Sequence, residues 1–170
     1  MFDAGCPTRA RPNGRSRQIQ GYVTRFFVML VVWLAVSGPL QAQNTQDLSV
    51  AAQAWINSER TKAGLRALEP SQALSRAAAA HASDLAQAGQ FSHSGSDGSS
   101  VGQRVRRQGY GFCFVAENIA KGQGSLDEVL RGWMASEGHR RNMLAKPARD
   151  FGLVRGPGHL WVMVLGQSGC

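Results

Sequence analysis

The sequence lacks any apolar run long enough to span a membrane. Its longest run, "FFVMLVVWLAV" at residues 26–36, falls well short of the roughly 20 residues that a membrane-spanning helix requires. An arginine-bearing stretch precedes this run and the small-residue segment "SGPLQAQ" follows it, an order typical of a cleaved secretory signal peptide. We therefore predict a signal peptide at residues 1–42, cleaved after Ala42, and a secreted or periplasmic protein with no stable membrane span after cleavage. An uncleaved N-terminal anchor is the alternative.

Acidic residues are scarce, with 11 Asp and Glu against 19 Lys and Arg, and the formal net charge is +8. Removing residues 1–42 takes away five arginines and one aspartate, which lowers the formal net charge to +4. The remaining excess is small and scattered, so the charge does not predict nucleic-acid binding. The length of residues 43–170 suits one domain with a single hydrophobic core, and we expect a monomer.

Cysteine is also rare, with three residues in the chain. Cys6 lies in the predicted signal peptide, which leaves Cys113 and Cys170 in the exported part. Disulfides persist in oxidising compartments, so two cysteines in an exported chain predict one Cys113–Cys170 disulfide. Two free thiols are the alternative.

Three helices are predicted in the first half of the exported chain. Apolar residues recur at helical spacing over residues 47–63, and glycine follows as a stop. A second helix is capped by Ser71 and ends near Gly89, and a shorter third helix covers residues 101–108.

The second half mixes strands with one more helix. The apolar segment "GFCFVAENIA" predicts a strand that ends at "AEN". Ser125 and Glu128 predict a capping box and a helix that stops at Gly138. The runs "FGLVR" and "LWVMVLG", joined by "GPGH", predict a β-hairpin. This pattern favours an α+β domain with an antiparallel sheet.

The four histidines fall into two groups. His81 lies on the apolar stripe of the second helix, which indicates a packed histidine, and His159 lies in a solvated Gly-Pro-Gly turn. His93 and His139 each follow a helix, where functional side chains tend to be displayed. Glu117 is the single acid of an otherwise apolar run, so it should need a partner.

Two neutral imidazoles and one carboxylate are a donor set that can hold Zn²⁺ or a similar divalent ion and leave a coordination position open. His93, Glu117 and His139 supply these groups. Their separations match no local metal motif, so spacing alone leaves the shared site open.

Seven segments then occur in the order and approximate spacing of one family. They are "AWINSERTKAGLRAL", "LSRAAAAHASDLA", "FSHSGSDG", "RVRRQGYGF", "AENIAKG", "VLRGWMASEGHRRNML" and "FGLVRGPGHLWVMVLG". The chain resembles the CAP superfamily (cysteine-rich secretory, antigen 5 and pathogenesis-related 1 proteins) in its compact bacterial branch, over about residues 48–166. The resemblance implies an α-β-α sandwich with a small antiparallel sheet between helical layers.

The resemblance also implies a central cleft that binds a ligand, with lipids and sterols among the candidates, and histidines that in some members bind a divalent metal. His93, Glu117 and His139 match the cleft's two histidines and its glutamate. Ser136 occupies the position of the second acid of eukaryotic members, and the neighbouring Glu137 points about 100° away along a helix. Asn142 is expected to bond backbone.

Three classes of function follow. The leading one is an exported ligand-binding domain without secure catalytic residues. The second is a metal-dependent hydrolase in which His93 and His139 hold the ion and Glu117 is the base, with a Ser136–His139 nucleophile pair as a weaker variant. The third is an interaction-only module in which the polar cluster stabilises the fold.

Overall fold

The computed structural model of the protein describes residues 45–169. The predicted signal peptide and the second cysteine of the predicted disulfide lie outside these residues. No helix among residues 45–169 is long and apolar enough to cross a membrane. The elements in chain order are β1 (Gln46–Asp47), α1 (Ser49–Lys62), β2 (Glu69–Pro70), α2 (Gln72–Ala88), α3 (Val101–Arg107), β3 (Phe112–Lys121), α4 (Leu126–Ala135), α5 (Glu137–Met143), β4 (Asp150–Gly156) and β5 (Leu160–Ser168).

The first three helices confirm the sequence predictions. Ser71 caps α2 by accepting a hydrogen bond from the backbone of Leu74, and Gly89 ends the helix at a φ of 63°. A positive φ is easily reached only by glycine, which is why the helix stops there. Helix α3 begins with a full capping box between Ser100 and Gln103.

Two predicted boundaries are wrong. Strand β3 does not end at "AEN" but continues to Lys121, because it pairs with β5 along its whole length. The helix predicted to stop at Gly138 ends at Ala135 instead. Ser136 adopts an extended conformation, with φ −94° and ψ 124°, and a separate helix α5 begins at Glu137. His139 therefore lies in the first turn of a new helix rather than beyond a helix end.

The five strands form one sheet in the order β1-β4-β5-β3, with β2 pairing with β4 at one end. The pairs are antiparallel except for the short parallel contact of β2 with β4. The predicted hairpin is confirmed as β4 and β5 joined by a single 3₁₀ turn at Pro157–His159. Strand β3 is the edge strand on the side of the candidate site.

The sheet is covered on both faces, which confirms the α-β-α sandwich. Side chains alternate along a strand, so Trp161 and Met163 of β5 enter the core under α1, α4 and α5, whereas Val162 and Val164 enter the core under α2 and α3. Helix α2 packs directly against β4 at Gly152. The approach is so close that a Cβ at this position would overlap backbone atoms of Leu74 and Ser75.

Candidate functional site

Glu117 is the centre of a buried polar cluster on the α2 and α3 side of β3. Its carboxylate Oε1 accepts a hydrogen bond from His93 Nδ1 at 2.9 Å, and Oε2 accepts one from Arg104 Nη2 at 2.7 Å. The side chain is 2% exposed, and His81 Nε2 lies 3.7 Å from Oε1. The expectation that this acid needs a partner is confirmed, and both of its oxygens are engaged.

His93 lies on the loop between α2 and α3, with its side chain 61% exposed. Hydrogen bonds hold this loop to the helices on either side of it. The backbone N–H and the hydroxyl of Ser96 donate to Asp84 of α2, and Arg104 of α3 donates to the carbonyl of Ser99. The ring is therefore open to solvent on a fixed loop.

His139 lies on the opposite side of β3, in α5. Its Nδ1 lies 3.0 Å from Ser136 Oγ, and its ring centroid lies 6.4 Å from that of the buried Trp133. Burial lowers the pKa of His139 below its usual value of 6.5, and the charge of His93 lowers it further.

Asn118 holds the His139 segment from β3. Its Nδ2 donates to the carbonyl of His139 at 3.1 Å, while its Oδ1 accepts from Asn142 Nδ2 at 2.9 Å. Asn142 Nδ2 also lies 3.1 Å from the carbonyl oxygen of Glu117. The prediction that Asn142 bonds backbone is confirmed, and its bonds connect α5 to the edge strand.

Sequence reasoning missed Arg104. The segment "RVRRQ" was interpreted only as part of a helix, although the isolated acid Glu117 signalled that a cation had to lie nearby. Arg104 is 5% exposed, whereas Arg107 of the same helix pairs with Asp97 at the surface. Nothing in the helical pattern singles out the first of these arginines from its neighbours.

The other two histidines have the roles expected of them. His81 is fully buried, and its Nε2 donates to the carbonyl of Ser92 at 3.0 Å. Burial lowers its pKa below 6.5, against the opposing effect of the Glu117 carboxylate. His159 is exposed at the hairpin turn, where its Nδ1 accepts a hydrogen bond from Arg155.

Glu137 does not replace the missing second acid. Its side chain is 82% exposed and lies 3.7 Å from Arg141, one turn further along α5. The hydroxyl of Ser136 contacts His139 instead. Of these two acids, Glu117 contacts His93, whereas Glu137 lies near Arg141.

The fit of a metal ion depends on which donor atoms remain available. Within residues 45–169, no group of three or more His, Cys, Asp or Glu side chains is arranged to hold a metal ion, and Glu117 is engaged by Arg104 and His93. A divalent ion at His93 and His139 therefore stays a prediction. The two rings keep Nε2 as their remaining nitrogen, since the hydrogen bonds in the described part of the chain use Nδ1 of each. In metalloproteins, a hydrogen bond at one ring nitrogen commonly orients the imidazole so that its other nitrogen binds the metal.

One cavity lies on the α2 and α3 side of the sheet, apart from the rings of His93 and His139. This cavity of about 230 Å³ is lined by side chains of α2, α3 and the loop between them, including His81, Asp84 and Arg104. Neither His93 nor His139 contributes to its wall.

The predicted disulfide stays a prediction, because Cys170 lies outside the described residues. Cys113 lies in β3 at an irregularity of the pairing, where Phe112 faces Ser168 and Phe114 faces Gln167.

Comparisons with known proteins agree with this architecture. The profile of the cysteine-rich secretory protein family, CAP, matches residues 53–159. The uncharacterized protein YkwD of Bacillus subtilis is 39% identical over 88 residues, which are 52% of this chain and 34% of that protein. The chain thus spans about a third of the length of this relative.

Two solved structures have a similar fold. An extracellular protein containing an SCP domain from Bacillus anthracis superposes with a TM-score of 0.66 at 26% identity, covering 71% of this chain and 40% of that one. An outer surface protein of Borrelia burgdorferi gives a TM-score of 0.65 at 20% identity, covering 75% of this chain and 99% of that one.

Proposed function

The chain belongs to the CAP family of cysteine-rich secretory proteins, and from this premise we propose that it is an exported ligand-binding domain whose site is formed by His93 and His139. Glu117 and Ser136 orient the two rings, whose Nε2 atoms would hold a zinc-type divalent ion, and the ion would supply an electrophilic position for the ligand. The observation that carries this proposal is that a side chain hydrogen-bonds Nδ1 of each ring. Glu117 contacts His93 Nδ1 at 2.9 Å, and Ser136 contacts His139 Nδ1 at 3.0 Å.

The donor set determines which ion is expected. Neutral imidazole nitrogen favours zinc and related transition metals, whereas Mg²⁺ and Ca²⁺ favour oxygen. Zinc is usually four-coordinate, so two protein ligands leave positions for water or for the ligand. We therefore expect modest affinity for Zn²⁺ and still weaker binding of Mg²⁺.

An extracytoplasmic location is part of the proposal. The similar structures come from a protein described as extracellular and from an outer surface protein. A signal peptide at residues 1–42 would deliver this chain to the same kind of environment.

Lipids are the ligand class that we propose to test first. Phe91 is 53% exposed and precedes His93 by two residues, so an apolar group lies close in the chain to the open imidazole. Vesicle sedimentation with phosphatidylcholine, with and without cholesterol, measures this interaction. The Phe91→Ser variant should bind less than the wild type, whereas Val50→Ser, which removes a 79% exposed apolar side chain of α1, should bind equally. Absence of wild-type binding to both vesicles would count against the lipid class.

The geometry gives less support to the hydrolase alternative. A general base needs a lone pair within reach of its proton donor, and both Glu117 oxygens already accept hydrogen bonds. Ser136 Oγ lies within hydrogen-bond distance of His139, as a nucleophile and its base require. However, no acid or amide side chain within residues 45–169 bonds the second nitrogen of His139, which a triad needs for orientation.

A calorimetric Zn²⁺ titration tests the proposed site. The wild type should show saturable binding, and His93→Ala and His139→Ala should each remove it. His159→Ala is the matched control, because this histidine is exposed at the distant hairpin turn. Equal binding by wild type and His93→Ala would reject the site and favour the interaction-only module.

A further inference from the structure

Arg104 contacts both the loop that contains His93 and the Glu117 carboxylate that accepts a hydrogen bond from the His93 ring. Its Nη1 donates to the carbonyl of Ser99 at 2.7 Å, and its Nη2 donates to the carbonyl of His93 at 3.0 Å. The same Nη2 donates to Glu117 Oε2 at 2.7 Å. One guanidinium therefore fixes the backbone of the histidine loop and the carboxylate that orients the histidine ring.

Burial makes these contacts stronger than those of a surface ion pair. The side chain of Arg104 is 6% exposed and that of Glu117 is 2% exposed, so water screens their attraction poorly. The planar guanidinium presents several donors in a fixed geometry, which a lysine ammonium on a flexible stem cannot reproduce. The three acceptors of Arg104 thus match an arginine and not merely a positive charge.

The backbone around Arg104 is also fixed close to β3. The capping box of Ser100 and Gln103 sets the start of α3. Gly102 lies so close to the sheet that a Cβ there would approach Phe112 Cζ to 2.8 Å. Helix α3 therefore holds Arg104 close to Glu117. Glu117 lies in the same strand as Phe112, five positions further along.

We propose that Arg104 is a positioning residue for His93. By occupying Oε2 of Glu117, it directs Oε1 to His93, so that Nδ1 carries the ring proton and the Nε2 lone pair faces the ligand. The hydrogen bond at one ring nitrogen determines which tautomer the neutral imidazole adopts. This inference rests on the proposed function, because it concerns the same ligand-facing nitrogen.

The tautomer of His93 is measurable without any metal. Nitrogen-15 NMR shifts of the neutral ring, recorded at alkaline pH on metal-free protein, distinguish protonation at Nδ1 from protonation at Nε2. The wild type should hold the proton on Nδ1. In Arg104→Gln the carboxylate loses its second partner, and the population of the Nε2-protonated form should rise.

Zinc affinity gives the second readout on the same proteins. Loss of a residue that orients a metal ligand typically weakens metal binding about 10- to 100-fold, and we expect this for Arg104→Gln. Arg104→Lys keeps the positive charge but cannot make all three hydrogen bonds. Its affinity for Zn²⁺ should therefore lie between those of the wild type and Arg104→Gln. Arg107→Gln is the matched control, because this arginine pairs with Asp97 at the surface of the same helix, and both readouts should stay at wild-type values.

The outcomes separate this inference from the proposed function. A wild type that binds no Zn²⁺ but shows the Arg104-dependent tautomer would reject the metal site and keep the positioning role. A wild-type ring protonated on Nε2 would overturn the inference, whatever the variants do. If Arg104→Gln does not fold, Arg104→Lys decides, and wild-type tautomer and affinity in that variant would also overturn it.

Discussion

Glu117 and Asn118 are neighbours in β3 whose side chains hold the two histidine segments from opposite faces of the sheet. Glu117 accepts from His93 Nδ1 at 2.9 Å, and Asn118 donates to the carbonyl of His139 at 3.1 Å. Consecutive side chains of a strand point to opposite faces, so one dipeptide at the sheet edge can position groups from both helical layers. The two histidines are 46 residues apart in the sequence, yet a single strand fixes them both.

Replacing Asn118 by leucine should destabilise the protein. Asn118 is fully buried, and its amide bonds both the His139 carbonyl and Asn142. An apolar replacement leaves these half-buried groups without their partner, and the loss of a partner by a fully buried group typically costs about 1–3 kcal/mol. Urea unfolding should show a loss of at least ~1 kcal/mol. An unchanged midpoint would mean that water or a shift of α5 satisfies the freed groups.

Gly152→Ala should be among the most damaging single-methyl changes in the sheet. A Cβ at this position overlaps backbone atoms of Leu74 and Ser75 in α2, and backbone cannot yield as a flexible side chain can. Overpacking typically costs about 1–3 kcal/mol, and rigid surroundings place this change at the upper end. Thermal unfolding measures the loss.

Gly132→Ala is the matched control for that change. Gly132 lies inside α4, with no atom within 4 Å of the added Cβ. Alanine is favoured over glycine in a helix by roughly 1 kcal/mol, so this variant should be more stable than the wild type. Equal losses in the two variants would contradict the packing that the structure assigns to α2 and β4.

The helices and strands of the α+β domain could be predicted because their sequence signals are local, whereas the α-β-α sandwich was implied by the family resemblance. The continuous apolar run "LWVMVLG" specifies a strand that is buried on both faces, and Ser71 and Gly89 delimit a helix through backbone chemistry that does not depend on distant residues. The α4–α5 break was missed because Ser136 interrupts an otherwise helical pattern without a proline. Arg104 was missed because its partner Glu117 is 13 positions away, and only tertiary packing joins them.

Stability should fall as the solution is acidified below pH ~6.5, the usual pKa of an unfolded histidine. Burial lowers the pKa of His81, assisted by the charge of Arg104 and opposed by Glu117 and Asp84. The unfolded chain therefore binds the proton more readily, so the stabilisation is complete above ~6.5 and is lost as pH falls toward the lower folded pKa. The lowered pKa of His139 acts in the same direction.

One variant tests whether His81 causes this loss of stability at low pH. A single such histidine contributes a slope of up to ~1.4 kcal/mol per pH unit below pH ~6.5, down to its lowered pKa in the folded protein. Urea unfolding across this window should give a shallower slope for His81→Gln than for the wild type. The same slope in both proteins would show that the buried histidine is not the group responsible.

We expect a disulfide between Cys113 and Cys170. Mass spectrometry of peptides digested without reduction should find these two cysteines linked. A loop of this length restricts the unfolded chain by roughly 4 kcal/mol in the entropy model, so reduction should lower the melting temperature. Quantitative labelling of both cysteines in unreduced protein would contradict the pairing.

The central claim is that the Nε2 atoms of His93 and His139 present one open site for a zinc-type ion. Anomalous diffraction at the zinc edge, from crystals of the protein grown with Zn²⁺, measures the ion's position directly. We predict an anomalous peak bonded to Nε2 of both histidines at about 2.0–2.1 Å, with the Nδ1 bonds to Glu117 and Ser136 intact. A zinc ion found on other residues, or no peak between the two rings at saturating Zn²⁺, would contradict the account.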